Sequence, residues 1–294
     1  MADRPTVVVV GAASRDLDAT DPRNWRLGGG VTYASIATAR FGLDVRAVVG
    51  ADELAAEAPE LDALRGAGVG VHLVPINRGP AFDNRPTPAG RVQFSDGPSD
   101  SIPVAALPTE WGVPAAAILA PVAGELGEDW ATTFDSRTTV ALGVQGLVRR
   151  LAPNARVEAL PLTRAALVER AQMLLISAED VAGTSAPLPE LLAPDQHLVV
   201  THGALGALAI TGGRARHLPP APRRDPVDAT GAGDVFLGAW VAARLLLGNA
   251  EPWRALLAAA AMASLSTQVR TLHEFPDSRD LCEALVRLRD RHLA

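Results

Sequence analysis

Lysine is absent from this chain of 294 residues, and all 27 of its basic residues are arginine. The absence excludes several kinds of chemistry. A Walker-type phosphate loop and the catalytic site of a protein kinase each need a lysine, and so does Schiff-base catalysis. An enzyme with this sequence must therefore hold anions with other groups.

Cysteine is also scarce, because Cys282 is the only one. It cannot form an internal disulfide, which is typical of proteins in a reducing compartment. The sequence has no apolar run of the roughly 18 residues that span a bilayer, and its first residues lack the layout of a signal peptide. The net charge of −6 argues against a nucleic-acid surface. We expect a cytoplasmic protein with neither nucleic-acid nor membrane partners.

Short apolar runs alternate with helix-like segments along most of the chain. The strand-like runs are 6–12, 45–50, 115–121, 138–145, 172–178 and 197–203. The helix-like segments are 28–42, 59–68, 163–171 and 233–247. This alternation is typical of a parallel sheet with helices on both faces. It predicts a single α/β domain over 1–294, with three α/β/α layers and a central, mostly parallel sheet.

Two segments, 16–26 and 73–97, interrupt the alternation. The first is polar, and the second contains four prolines and reads as extended pieces separated by turns. Long insertions in compact α/β domains are commonly lids or binding loops. We predict that the two segments form a small β-lid over the edge of the sheet. Two long surface loops are the alternative.

The segment "DATGAGD" (228–234) directly precedes the helix-like run 233–247. In a glycine-rich turn at a helix start, several backbone N–H groups converge, and the helix dipole adds partial positive charge. Such an anion hole suits a transferring phosphoryl group and needs no lysine. Asp234 would then act as a base toward a hydroxyl group. In the purely structural alternative, Asp228 is a helix cap and Asp234 is a first-turn acid.

This motif resembles the signature D-[TP]-x-G-A-G-D of the ribokinase-like, or PfkB, carbohydrate kinases, with Ala229 in place of the usual Thr or Pro. Three other segments resemble the family in the expected order: "GAASRD" (11–16), "GGGVTYASIATARFG" (28–42) and "VVTHGALGA" (199–207). The similarity covers essentially the whole chain. It implies a ribokinase-like fold and a kinase that uses ATP and Mg²⁺ to phosphorylate a hydroxyl of a small sugar or polyol.

The resemblance also implies a role for each matching residue. Asp234 would be the general base, and the anion hole would comprise Gly231, Ala232 and Gly233. The substrate side would comprise Asp16, Gly28 and Gly29, and the ATP side would comprise Thr201, Gly203 and Gly206. Some relatives hold a monovalent cation such as K⁺ near the positions of Asp228 and Thr230.

Two positions depart from the family pattern. The N-x-x-E motif, which is tied to Mg²⁺ and phosphate through water, corresponds here to Ser177–Asp180. Asp180 keeps the charge on a shorter side chain, Ser177 lacks the amide at the ATP side, and Glu179 is an alternative carboxylate. Tyr33 replaces an Asn that touches the sugar in ribokinases, so it either reshapes the substrate pocket or packs against its neighbours.

The segment "VALGVQGLVRR" (140–150) looks more like the branch that contains plant-type myo-inositol kinases, where a Q-x-x-x-R pattern follows the middle strand. Gln145 and Arg149 match this pattern. Arg149 would bind a polyol or phosphate oxygen, or else form a surface salt bridge. The alternative functions are a kinase for ribose, a nucleoside or a phosphosugar, and a non-catalytic scaffold or sensor. We expect a monomer or a homodimer formed through the lid.

Overall fold

The computed structural model describes residues 4–87, 90–181, 184, 187–211, 213–221, 226–248 and 252–292. A nine-stranded sheet forms the centre of the molecule. In sheet order its strands are β16 (Arg214–Leu218), β15 (Ala207–Thr211), β14 (His197–Thr201), β13 (Met173–Ser177), β9 (Thr139–Gly143), β8 (Ala116–Leu119), β1 (Thr6–Ala12), β4 (Asp44–Ala51) and β5 (Val69–Pro75). The strands from β14 to β5 are parallel, whereas β15 and β16 run antiparallel to their neighbours.

Helices cover both faces of this sheet. They are α1 (Gly30–Ala39), α2 (Glu53–Ala56), α3 (Glu60–Gly66), α4 (Ala166–Arg170), α5 (Ala178–Val181), α6 (Ala232–Leu247), α7 (Pro252–Ser266) and α8 (Ser278–His292). Alternate residues of β1 point to opposite faces, so Val7 and Val9 enter the core beneath α1 and α6 while Val8 and Val10 enter the core beneath α4. The predicted three-layer fold is confirmed. No helix in the described ranges is both long and apolar enough to cross a membrane.

A second, five-stranded sheet lies apart from the large one. Its order is β11 (Pro153–Arg156), β7 (Gly90–Asp96), β6 (Ala81–Thr87), β2 (Ser14–Leu17) and β3 (Trp25–Gly28). A two-stranded ladder joins β10 (Arg149–Arg150) to β12 (Glu158–Ala159). We call the five-stranded sheet the small sheet.

The small sheet differs in its bounds from the two predicted lid segments. Residues 73–75 end β5 and so belong to the large sheet, whereas β11 joins the small sheet by pairing antiparallel with β7. This pairing joins segments about sixty residues apart, so local sequence pattern does not show it. Residues 88 and 89 of the predicted segment lie outside the described residues.

Ion pairs fasten the small sheet to the main body. Arg15 of β2 pairs with Asp52 at 3.0 Å. Arg23, in the loop between β2 and β3, donates to the buried Glu60 of α3, and Glu60 also accepts the backbone N–H of Leu27. These contacts place the small sheet next to the carboxyl ends of β1 and β4.

Candidate active site

A cavity of about 600 Å³ lies at the carboxyl ends of the parallel strands, beside the small sheet. Ligands of open α/β sheets typically bind at this edge. Most of the residues predicted from the sequence line this cavity: Asp16, Gly29, Tyr33, Arg149, Ser177, Asp180, Thr201, Gly203, Thr230, Gly231, Ala232, Gly233 and Asp234. Gly28 lies beside Asp16, and Gly206 lines an adjoining pocket.

The three glycines at positions 28–30 bring two carboxylates together. A Cβ at Gly28 would overlap the carboxylate of Asp16, and a Cβ at Gly30 would lie only 2.8 Å from Oδ1 of Asp234. Gly29 has a φ of 96°, which favours glycine. The glycine run at the start of α1 therefore makes room for Asp16 on one side and Asp234 on the other.

The carboxylate of Asp234 lies at the floor of the cavity, in the first turn of α6. Burial raises its pKa to about 7. The positive charge of Arg149 opposes this effect and lowers the pKa, whereas the negative charges of Asp16 and Asp180 raise it further. A carboxylate with a pKa near neutrality can accept a proton during turnover and release it afterwards.

The predicted anion hole lies at the amino terminus of α6. Gly231 caps the helix with a φ of 73°, and a Cβ there would overlap the ring of Tyr33. The first-turn amides of a helix lack intrahelical partners and can bind an anion. In α6, the amide of Ala232 already donates to the carbonyl of Ala229 at 3.2 Å. The Gly231 turn is thus held against Tyr33, which both packs on the turn and lines the cavity.

Arg149 lies at the centre of a hydrogen-bonded network in the cavity wall. Its guanidinium pairs with Asp180 at 2.9 Å, and the side chains of both residues are only 9% exposed. Ser177 donates to the other carboxylate oxygen of Asp180 at 2.6 Å. The amide oxygen of Gln145, when it faces Arg149, accepts from both terminal nitrogens of the guanidinium. Arg149 of the Q-x-x-x-R pattern therefore contacts Asp180 of the segment that corresponds to N-x-x-E.

The small sheet adds two residues to this network that sequence reasoning missed. Gln93 of β7 accepts from Arg149 at 2.9 Å through its Oε1 and donates through Nε2 to Asn84 of β6 at 2.8 Å. Both residues line the cavity. They occupy paired positions of the β6–β7 hairpin, so their meeting depends on strand register, for which the sequence alone has no clear signal.

Glu125 is a second residue that the sequence reading missed. It is fully buried, and its carboxylate accepts backbone N–H groups from Ala12, Val122 and Ala123 at 2.8–3.1 Å. These amides belong to the end of β1 and the loop after β8. Glu125 therefore fixes two backbone segments beneath the cavity.

A smaller, largely apolar pocket of about 220 Å³ adjoins the cavity on the far side of the glycine turn. The two spaces share six lining residues: Thr201, Gly203, Ala204, Ala229, Ala232 and Gly233. The other walls of the small pocket come mainly from alanine, proline, leucine and phenylalanine side chains, including Phe236 and Ala263. An anion bound at the glycine turn would therefore lie between a polar space and an apolar one.

The described residues contain no cluster of three or more His, Cys, Asp or Glu side chains arranged to hold a metal ion. Mg²⁺ that is bound with a nucleotide relies on phosphate oxygens, water and one or two carboxylates. Asp180 and Glu179 line the cavity and suit such an outer position. Both oxygens of Asp180 already accept hydrogen bonds from Arg149 and Ser177.

At the predicted monovalent-cation position, a side chain of the protein already supplies the positive charge. Asp228 does not line the cavity; its carboxylate forms an ion pair with Arg26 of β3 and caps the amide of Thr230 at 2.8 Å. The charge of Asp228 is therefore already balanced by a side chain. This arrangement does not fit a separate K⁺ ion bound to that carboxylate.

Residues 144–277 match the pfkB family carbohydrate kinases. This range includes Arg149, Asp180, Thr201 and Asp234. Comparison of the sequence with curated proteins finds no match.

Solved structures of the ribokinase family share the fold over nearly the full chain. A pyrophosphate-dependent kinase complexed with a pyrophosphate analogue and myo-inositol is 18% identical, with a TM-score of 0.72 over 95% of this chain and 99% of that one. The ribokinase of Thermotoga maritima is 15% identical, with a TM-score of 0.69 over 96% and 99%. The nucleoside kinase of Methanocaldococcus jannaschii is 12% identical, with a TM-score of 0.71 over 97% and 100%. These likenesses establish the fold, and the family match confirms the resemblance inferred from the motifs.

Proposed function

We propose that this chain, a ribokinase-fold protein whose residues 144–277 match the pfkB carbohydrate kinase family, transfers the γ-phosphoryl group of ATP to a hydroxyl of a neutral polyol or sugar. The observation that carries the proposal is Asp234. Its carboxylate, with a pKa of about 7, lies in the first turn of α6 beside the Gly231 turn. A base and an anion site are thus adjacent.

The proposed reaction is an in-line transfer. Ionised Asp234 takes the proton of the acceptor hydroxyl as the acceptor oxygen forms its bond to the γ-phosphorus. The bond from that phosphorus to the bridging oxygen of ADP breaks, and ADP leaves. The first-turn amides of α6 that lack an intrahelical partner, together with the dipole of α6, stabilise the charge on the transferring group. Mg²⁺ bound with the nucleotide would neutralise phosphate charge on the side of Asp180 and Glu179.

The charge of the cavity favours a neutral acceptor over a phosphosugar. The described lining contains four carboxylates, Asp16, Glu179, Asp180 and Asp234, and a single arginine. That arginine, Arg149, is already paired with Asp180. A phosphorylated acceptor would meet repulsion without a spare cation, whereas the hydroxyls of a polyol can donate to these carboxylates.

The apolar pocket beside the glycine turn favours a nucleotide donor. A nucleobase buries an apolar face, and pyrophosphate has none, so alanine and proline walls next to an anion site suit the former. Relatives with the same fold include a kinase described as pyrophosphate-dependent, so both donors belong in the test.

The experiment measures phosphorylated product by mass spectrometry with ATP or pyrophosphate as donor. The acceptors are myo-inositol, ribose, fructose, adenosine and fructose 6-phosphate. We expect product with ATP and a neutral polyol or sugar. Product only with pyrophosphate, or only with the phosphosugar, would contradict the proposal. Tight ATP binding without any product would favour a non-catalytic scaffold.

A matched pair of variants tests the donor pocket. Ala263→Leu fills the apolar pocket, and we expect it to raise the KM for ATP about tenfold or more without a similar effect on the acceptor. Ala284→Leu makes the same change at a partly buried alanine of α8 that lines neither space. Equal effects of the two variants on the KM for ATP would argue against nucleotide binding in this pocket.

A further inference from the structure

Arg26 joins three separate parts of the chain next to the glycine turn. It belongs to β3 of the small sheet, and its guanidinium pairs with Asp228 in the loop before α6. Its Nη1 also donates to the backbone carbonyl of Arg270 at 2.6 Å, in the segment that follows α7. One positive group therefore bridges a carboxylate from one loop and a carbonyl from another.

The loop that Arg26 holds leads directly into the anion hole. The Oδ1 of Asp228 accepts the amide of Thr230, and the amides of Val227 and Asp228 donate to the carbonyl of Thr267. The Gly231 turn begins one residue after Thr230. The placement of the anion-binding amides thus depends on contacts that Arg26 completes.

The position of Arg26 shields it from competing ions. Its side chain is 15% exposed and that of Asp228 is 16% exposed. Asp18 is a further carboxylate in the same cluster, with its Oδ2 at 3.7 Å from Arg26 and 3.8 Å from Arg270. Arg26 and Arg270 thus offset the charges of Asp18 and Asp228 from within the chain, so neither of these carboxylates needs an additional cation.

Arg26 also connects this cluster to the substrate side. It lies directly opposite Asp16 in the β2–β3 ladder, so the two side chains share one face of the small sheet. A guanidinium at this point stays charged at every physiological pH and cannot dissociate from the protein.

We propose that Arg26 is a tethered cation that takes the place of a monovalent ion beside the anion hole, so that phosphoryl transfer by this chain does not depend on K⁺. Arg26 acts as a positioning residue: it holds the loop whose amides bind the phosphoryl group. The proposal rests on the proposed kinase function. The effect of cations on the thermal stability of the variants described next does not require catalysis, so it tests the tethered cation separately.

The first test compares turnover of the wild-type protein in potassium, sodium and tetramethylammonium chloride at equal ionic strength. We expect kcat to agree within about twofold in all three salts, because a tethered cation needs no exchangeable partner. Activation by K⁺ over tetramethylammonium of about fivefold or more would overturn the proposal.

The second test removes the tethered charge. In tetramethylammonium chloride, we expect Arg26→Ala to lower kcat about tenfold or more, since Asp228 is left without its partner. Added K⁺ or guanidinium should restore part of the activity, and Arg26→Lys should remain more active than Arg26→Ala without responding to K⁺. Arg26→Ala that matches the wild type, or that no cation restores, would overturn the proposal. Arg15→Ala, which removes another small-sheet ion pair with no contact to Asp228, should not acquire a response to cations.

Thermal unfolding separates this inference from the proposed function. The midpoint for Arg26→Ala should rise in K⁺ or guanidinium at low concentration relative to tetramethylammonium, while the wild type and Arg15→Ala should not respond to the choice of cation. This shift is expected even if no acceptor is ever phosphorylated. Absence of the shift, with a folded Arg26→Ala, would refute the tethered cation and leave the kinase proposal intact.

Discussion

Asp234 combines a burial that disfavours its charge with a proposed chemical role that requires it. Its folded pKa of about 7 lies above the ordinary value of 3.8. Folding therefore favours the protonated carboxyl relative to the unfolded chain, and the stability that this contributes is lost as the pH rises from about 3.8 through about 7. The proposed base therefore lowers the stability of the folded protein once the pH exceeds its raised pKa.

Asp234→Asn tests this relation. We expect kcat to fall by about 10²–10⁴, because the base is removed. We also expect the free energy of unfolding to rise at pH 8 by about 1–3 kcal/mol, with a smaller gain at pH 5, where the wild-type carboxyl already carries its proton. Denaturant unfolding at the two pH values and steady-state kinetics measure both effects. A variant with near wild-type turnover would remove Asp234 from the role of base.

The pH dependence of turnover reports the charges around Asp234. The wild-type kcat/KM should rise with pH through about 7, as Asp234 loses its proton. Arg149→Gln removes the positive charge that lowers this pKa, so the midpoint should move to higher pH. Arg137→Gln is the control, because Arg137 is an exposed residue paired with Asp135. A midpoint that does not move in Arg149→Gln would contradict the electrostatic link.

At the scale of elements, the site depends on how closely the starts of α1 and α6 approach. A Cβ at Gly238 would meet the carbonyl of Ala34 and the hydroxyl of Thr38, so α6 packs directly on the backbone of α1. This contact brings Gly30 and Asp234 together. Buried Glu125 likewise fixes backbone segments near the site, because its carboxylate accepts amides from the end of β1 and from the loop after β8.

Gly231→Ala tests the packing of the glycine turn. The substitution adds strain at a φ of 73° and drives the new methyl group into the ring of Tyr33. We expect a loss of about 2–4 kcal/mol in the free energy of unfolding, together with weaker phosphate binding. Gly213→Ala is the matched control, since Gly213 has a φ of 71° and no neighbour within 4 Å of a Cβ. The control should lose only the backbone part, about 1–2 kcal/mol; equal losses would mean that contact with Tyr33 contributes nothing.

At the scale of the whole molecule, the small sheet and the main body meet at Arg149. Gln93 reaches this arginine from the small sheet, and Asp180 reaches it from the main body. The small sheet therefore contributes side chains to the wall of the proposed acceptor site. Its predicted role as a lid, and as the contact surface of a homodimer, stays a prediction that sedimentation with and without ligands would test.

Gln93→Ala tests whether the small sheet contributes to acceptor binding. We expect the KM for the acceptor to rise about threefold to tenfold while the KM for ATP stays within about twofold, because the wall of the proposed acceptor site loses the charge-assisted hydrogen bond that Gln93 accepts from Arg149. Arg85→Ala serves as the control in the same sheet, since Arg85 is exposed and pairs with Asp83. An equal rise in both KM values would place Gln93 outside the acceptor site.

The sequence by itself determined the elements that depend on local pattern. Buried apolar runs defined the parallel strands. The glycines marked the turns at Gly29 and Gly231, where φ is positive, and the close approaches at Gly28 and Gly30. These turns carry the family motifs, so most of the cavity lining could be named in advance. Glu125, Asn84 and Gln93 could not, because a lone polar residue in a loop or a strand has no local signature of its role.

Only the tertiary structure decided how the charges pair. Arg149 with Asp180, and Arg26 with Asp228, join residues separated by 31 and about 200 positions along the chain. Their meeting depends on strand order and on the placement of the small sheet. The pKa of Asp234 depends on the same arrangement, because burial and three neighbouring charges set it. Local patterns specify backbone shape over a few residues, whereas electrostatics depends on distances that exist only in the folded chain.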